Sequence, residues 1–236
     1  MMSGSVYVSE CVFIDNQSRL GGGIGIYNGT VIVSDCVVQR NFATLGGAGI
    51  IVLNGSHSFS NVQFSNNEAA VLGGGLYCSG ESICDVNNCI FDSNYAVFSA
   101  GGGAFATQNA SLTVTYSTFQ NNLALSGGGL DCQIFASCRI SVSQFYNNSA
   151  DRGGAISITS LAVSYFNSLD IKFLFLSLFH FSQTYENYFL AKIDKIEPVL
   201  GVDFILKQRQ LWMPQCFQIP PFPTIKQRMV VGFTLV

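Results

Sequence analysis

The strongest constraint on this chain is a two-part phrase that recurs six times. Its first half is Phe-x-x-Asn, from Phe13-Ile14-Asp15-Asn16 to Phe145-Tyr146-Asn147-Asn148. Its second half, a few residues on, is Gly-Gly with a small or apolar residue, from Gly21-Gly22-Gly23-Ile24 to Gly153-Gly154-Ala155-Ile156. The Phe position falls at Phe13, Val38, Phe64, Phe91, Phe119 and Phe145, in steps of 25, 26, 27, 28 and 26 residues. The Gly position falls at Gly21, Gly46, Gly73, Gly101, Gly127 and Gly153. A period of this length marks a repeat architecture.

Columns of like residues accompany the phrase. Seven before the Phe position stand Val6, Val31, His57, Cys84, Leu112 and Cys138; five before stand Val8, Val33, Phe59, Val86, Val114 and Ile140. Three and five after the first glycine stand pairs such as Ile24 with Ile26, Gly49 with Ile51, Leu76 with Cys78 and Ile156 with Ile158. The residue between each pair is mixed, and it reads as outward-facing. Alternation over a few residues is a strand signal. Each copy therefore predicts about three short strands separated by bends.

Such a unit buries its apolar face only by stacking on its neighbours. The reading is an all-β chain, a right-handed parallel β-helix of about six coils. Strand neighbours lie about 4.8 Å apart, so six coils stack to roughly 29 Å. A propeller blade needs about 40 residues, and a leucine-rich repeat carries a different Leu spacing. The Asn column, Asn16, Asn41, Asn67, Asn94, Asn122 and Asn148, predicts an amide ladder, since a carboxamide both donates and accepts. The glycines suit bends. The small residues Ser18, Ala43, Ala69, Ala96, Ala124 and Ala150 suit a tight interior corner.

Phe-x-x-Asn alternating with Gly-Gly-Ala-Ile resembles the repeats of the polymorphic outer membrane proteins and related right-handed β-helices. The resemblance covers residues 1–160, with Val38 departing from the pattern. It implies a surface-exposed or secreted β-helix, often one used in adhesion.

Composition changes near residue 160. Before it lie 22 of the 24 glycines; after it lie all five prolines and all five lysines. The division expected is a repeat domain over 1–160 and a non-repeat aromatic tail over 161–236. The tail reads as irregular, with Thr184–Ile196 compatible with a helix ended before Pro198 and Val202–Trp212 compatible with another. It is a cap on the last coil, a misread piece of gene or a membrane-surface segment. Net charge is −3 with 11% charged residues, which argues against a nucleic-acid surface. No basic start and apolar run precede the first coil, so no signal peptide is expected within this chain. The apolar run Phe173–Phe181 is too short to span a bilayer.

Four cysteines sit at matching places in two copies, and they predict the disulfides Cys78–Cys84 and Cys132–Cys138. Cys11, Cys36 and Cys89 share one column and read as reduced core thiols. Asn28, Asn54 and Asn109 head N-glycosylation sequons in one inter-strand loop, and Asn-Gly is equally the chemistry of a tight turn. Glu10, Asp35, Asn61 and Asn88 form another column. It offers oxygens to Ca²⁺ in principle, but reads as a solvated bend. His57 falls in an interior column and reads as packed. Asp131 is the one acid of the mixed column after the glycines.

No catalytic, cofactor-binding or metal-binding set emerges. The leading function is a non-enzymatic cell-surface or extracellular module for adhesion or structural display, with a surface glycan or protein as partner. The second reading is a carbohydrate-binding or polysaccharide-cleaving β-helix, which needs several acids and an arginine converging on one outward groove.

Overall fold

The computed structural model describes residues 5–159, 162–173, 179–181 and 189–198. The chain is an all-β parallel solenoid of about six turns, with no helix among the described residues. In the second coil the strands are Thr30–Ser34, Val37–Gln39 and Phe42–Gly46, followed by Ile50–Ser60. Every strand pairs in parallel with its counterpart one coil away: Val31 lies between Val6 and His57, and Phe91 between Phe64 and Phe119. The first four coils thus have one strand segment more than the three expected. The extra one follows the Asn bend and builds a separate four-stranded sheet from Gln17–Leu20, Phe42–Gly46, Glu68–Ala69 and Tyr95–Ala96. Its inward residues are the small ones, Ser18, Ala43, Ala69 and Ala96, in one register. It is too short to show alternation in sequence.

The interior is the set of predicted columns. Phe64, Phe91, Phe119 and Phe145 are fully buried and stack face to face, with centroids 4.5, 4.4 and 4.7 Å apart and planes within 4°. Burying each such ring stabilises the coil by roughly 2–3 kcal/mol. Val38 holds the same position in the second coil and is also fully buried. The glycine corner lies against this stack. A Cβ on Gly103 would sit 2.5 Å from the Gly129 carbonyl oxygen and 2.8 Å from Phe119 Cδ1.

The Asn ladder is complete. Asn67 Nδ2 donates to Asn94 Oδ1 at 2.9 Å and to the Val38 carbonyl at 2.8 Å. Asn94 Oδ1 also accepts the backbone N–H of Asn67 at 3.1 Å. The same bonds recur from Asn16 to Asn148, so a bend buried between coils keeps its polar groups satisfied.

Three expectations are corrected. The second glycine position is Gly47, not Gly46: Gly47 has φ +63°, matching Gly21 at +68° and Gly73 at +59°. Strand pairing then aligns Ile24, Ile50 and Leu76, and also Ile26, Val52 and Cys78. Ile50 and Val52 are therefore the interior pair, not Gly49 and Ile51. Four small residues in a row, Gly46-Gly47-Ala48-Gly49, let the sequence slip by one, and a slip of one exchanges the faces.

The second correction concerns the mixed column. Gly25, Ile51, Tyr77, Phe105, Asp131 and Ser157 do align, but from Ile51 onwards they are buried. The segment leading into each glycine corner crosses outside them, through Leu20, Gly46, Leu72, Ala100, Ser126 and Arg152 paired in turn. Ile51, Tyr77, Ala100 and Phe105 make a second small core with Leu20, Leu53 and Leu72 beneath this cover.

The third concerns the tail. Parallel pairing runs on past residue 160: Val163–Phe173 pairs with Ser137–Tyr146, Phe179–Phe181 with Ile156–Ile158, and Phe189–Pro198 with Val163–Phe173. Residues 189–196, expected as part of a helix, are strand. Residues 174–178, 182–188 and the expected helix at 202–212 lie outside the described residues.

Candidate binding site

The site grows from a corner that every coil repeats. After the strand carrying Val33, Phe59 and Val86, the chain turns through one residue with positive φ. That residue is Glu10 (54°), Asp35 (53°), Asn61 (53°), Asn88 (52°), Tyr116 (50°) and Val142 (50°). Asn and Asp enter this left-handed region readily, because their short side chains bond locally; other L-residues strain by about 1 kcal/mol. The column that begins with acids and amides therefore ends with two residues ill suited to its backbone.

The polar part is linked. Asn61 Nδ2 donates to Asp35 Oδ1 at 2.9 Å, and Asn88 Nδ2 donates to Asn61 Oδ1 at 2.6 Å. These amides are exposed, unlike the inner ladder. Beside them runs an open groove of about 500 Å³ along the solenoid axis. One wall is Asp35, Asn61, Asn88 and Tyr116; the other starts the next strands, with Gln63 and Ile90. Cys36, Val62 and Cys89 form the floor and are buried. Tyr116 is 62% exposed and Ile90 43%. Tyr116 belongs to the column that the sequence shows as Glu10, Asp35, Asn61 and Asn88, although its chemistry does not announce it. The same spacing carried one period further reaches it.

The other sequence candidates are dispersed. Cys78 is bonded to Cys84 and Cys132 to Cys138, with Cα atoms 6.9 and 6.5 Å apart. Each bridge closes the loop between two interior columns. Cys11, Cys36 and Cys89 are free thiols in one column. The Cys11 backbone N–H points at Cys36 Sγ, 3.4 Å away. Below Cys89 the column changes to Ser117 and Ser143, whose hydroxyls accept the backbone N–H groups of Cys89 and Ser117. Burial raises the Cys36 thiol and pushes Cys89 up to about 11.

His57 is buried in the column between Val31 and Cys84. Its Nε2 meets the Asn54 carbonyl at 2.9 Å, so Nε2 carries the proton, and the buried Nδ1 has no partner. Desolvation lowers its pKa, with the Asn54 carbonyl opposing. Asp131 is fully buried under the covering segment; Gln133 Nε2 donates to its Oδ2 at 3.2 Å, and Oδ1 has no donor. Desolvation pushes its pKa up to about 6, while Ser126, Gln133 and Arg152 draw it down.

The sequon asparagines are exposed, with φ of 65°, 60° and 64°, and Asn54 lies within the strand Ile50–Ser60. Asn54 Nδ2 donates to Asn28 Oδ1 at 3.4 Å and Asn54 Oδ1 accepts the Glu81 N–H at 3.1 Å. Among the described residues no three of His, Cys, Asp and Glu come together to hold a metal, and no helix is long and apolar enough to cross a membrane.

Comparison with known proteins agrees with the geometry of the coil. The Chlamydia polymorphic membrane protein repeat matches residues 61–79 and 143–159. Each match runs from the Phe strand through the Asn bend and the glycines into the following strand. Over 81 residues the chain is 41% identical to a protein of Dictyostelium discoideum named Metabotropic glutamate receptor-like protein R. That match covers 34% of this chain and 5% of the relative, so the chain spans a small part of the relative's length. No solved structure matches the chain. The spacing, the stacked asparagines and the matched segments agree: two stretches of this chain match the polymorphic membrane protein repeat, and both lie in a parallel β-solenoid.

Proposed function

We propose that the chain is a cell-surface or extracellular module used for attachment or display, with a surface glycan or protein as partner. One observation carries this reading. The residues that recur in every coil are consumed in stacking, while the exposed corner column changes from coil to coil, from Glu10 through Asn61 to Tyr116. Variation on a regular lateral face is how a solenoid presents contacts without a single deep pocket. The matched repeat family and the two disulfides support a location outside the reducing cytosol. The polysaccharide-cleaving alternative draws no support from Asp131, which is buried under the covering segment rather than facing an outward groove. Beads coated with the full chain and presented to cell surfaces test the proposal. Retention above beads carrying an unrelated β-protein is expected; equal retention sinks the reading. Steady release of unsaturated oligosaccharides from acidic polysaccharides would replace it with the lyase.

A further inference from the structure

We infer that the corner groove binds a short, extended stretch of neutral glycan. This rests on the attachment reading above and names its ligand. The groove crosses the corners of four coils, about 14 Å at the strand spacing, which suits a trisaccharide-sized segment. Its polar wall is a chain of carboxamides ending on a carboxylate. Each amide spends one N–H, and Asn61 also spends its oxygen, so N–H donors and the Asn88 oxygen stay available to hydroxyl groups.

The lining holds one acid, Asp35, and no Lys or Arg, so phosphates and acidic sugars are disfavoured. An extended peptide is disfavoured as well. The strands on both sides are already paired with the coils above and below, leaving no backbone edge for strand addition.

Tyr116 supplies the second, independent observation. Asparagine at this corner would suit the positive φ and would extend the amide chain by donating to Asn88. The chain instead places a largely exposed phenol ring there, against its backbone preference. Val142 carries the same positive φ outside the groove, so it is the exposure of the ring at the groove's end, and not the strain, that marks Tyr116 as a contact residue. A flat ring beside a row of amides presents one face for stacking on a sugar and a polar rail for its hydroxyls.

The test is calorimetric titration of the full chain with cellotetraose, chitotetraose and mannotetraose. At least one is expected to bind. Tyr116→Asn is expected to raise the urea midpoint yet weaken that binding tenfold or more, a combination that a purely structural Tyr116 would not produce. Asn61→Ala is expected to weaken binding similarly. Val142→Asn, in the same column but outside the groove, is expected to raise the midpoint with binding unchanged. The inference is overturned if none of the three sugars binds, or if Tyr116→Asn binds as tightly as the natural chain. Bead attachment separates the two proposals. Tyr116→Asn beads attaching as well as unaltered ones remove the groove but keep the attachment role, whereas unaltered beads that fail to attach remove the role itself.

Discussion

Asn94 and Asn122 are joined twice. The Oδ1 of Asn122 accepts the Asn94 side-chain Nδ2 at 3.0 Å and the Asn94 backbone N–H at 2.9 Å. The second Nδ2 hydrogen of Asn94 goes to the Phe64 carbonyl at 2.9 Å. One fully buried carboxamide thus ties three consecutive coils, and its own Oδ1 repeats the arrangement towards Asn67.

Truncating Asn94 should therefore strand donors and acceptors in both neighbouring coils. Asn94→Ala is expected to cost roughly 2–4 kcal/mol, since each buried group left unpaired costs about 1–3. Asn148→Ala, at a half-buried rung, is expected to cost less. Urea midpoints of the two variants measure the difference; equal losses would show that the ladder is not what holds the coils.

Thiol chemistry should sort the cysteines by burial. Iodoacetamide on the native chain is expected to label Cys11 first, Cys36 slowly, and Cys89 only after denaturation. Cys89 is buried and its thiol lies near 11, leaving almost no thiolate at neutral pH. Cys78, Cys84, Cys132 and Cys138 should stay unlabelled until reduced. Reduction of each bridge is expected to lower stability by about 2 kcal/mol, given the short loops closed. Peptide mass spectrometry reads the labelling order.

Acidity should act on His57 and Asp131 with opposite signs. The folded pKa of His57 is depressed below 6.5, so its contribution is full above that value and is lost as pH falls through it. The folded pKa of Asp131 is raised from 3.8 to about 6, so its buried charge destabilises the fold above about 6 and is relieved as pH drops towards 3.8. Asp131→Asn is expected to raise stability near neutrality by roughly 2 kcal/mol and to remove the relief on acidification. His57→Leu is expected to remove the loss below 6.5. Unfolding curves between about pH 4 and 7 for the two variants separate the contributions.

Sequon use should differ among the three sites. Asn28 and Asn54 are linked to each other through their amides, whereas Asn109 is exposed with no such partner for its Nδ2. Secretion from a glycosylating host is expected to give higher occupancy at Asn109 than at Asn54, read by deglycosylation with an isotope label. Greater occupancy at Asn54 would count against accessibility as the deciding factor.

The candidate site was only half legible. The acids and amides Glu10, Asp35, Asn61 and Asn88 stand at one spacing, so their shared corner was visible. The hydrogen-bonded chain among them and the groove beside them were not, because these depend on how sharply the backbone turns there. Tyr116 went unread for a physical reason: a tyrosine is not what a left-handed corner favours, so its chemistry masked its position.

The columns themselves needed no structure. In a stack of near-identical coils each residue meets its own counterpart above and below, so a periodic sequence states its contacts directly. That holds for the Phe stack, the Asn ladder and the two disulfides. Three things needed the folded chain. The choice between Gly46 and Gly47 rests on pairing of Ile50 with Ile24 and Leu76, because four small residues fit the bend equally well in either register. The burial of Asp131 rests on a segment that arrives from before the glycine corner and covers it. The strands beyond residue 160 rest on a preceding coil that presents its open edge as a template, which lets a segment pair where no glycine or asparagine announces it.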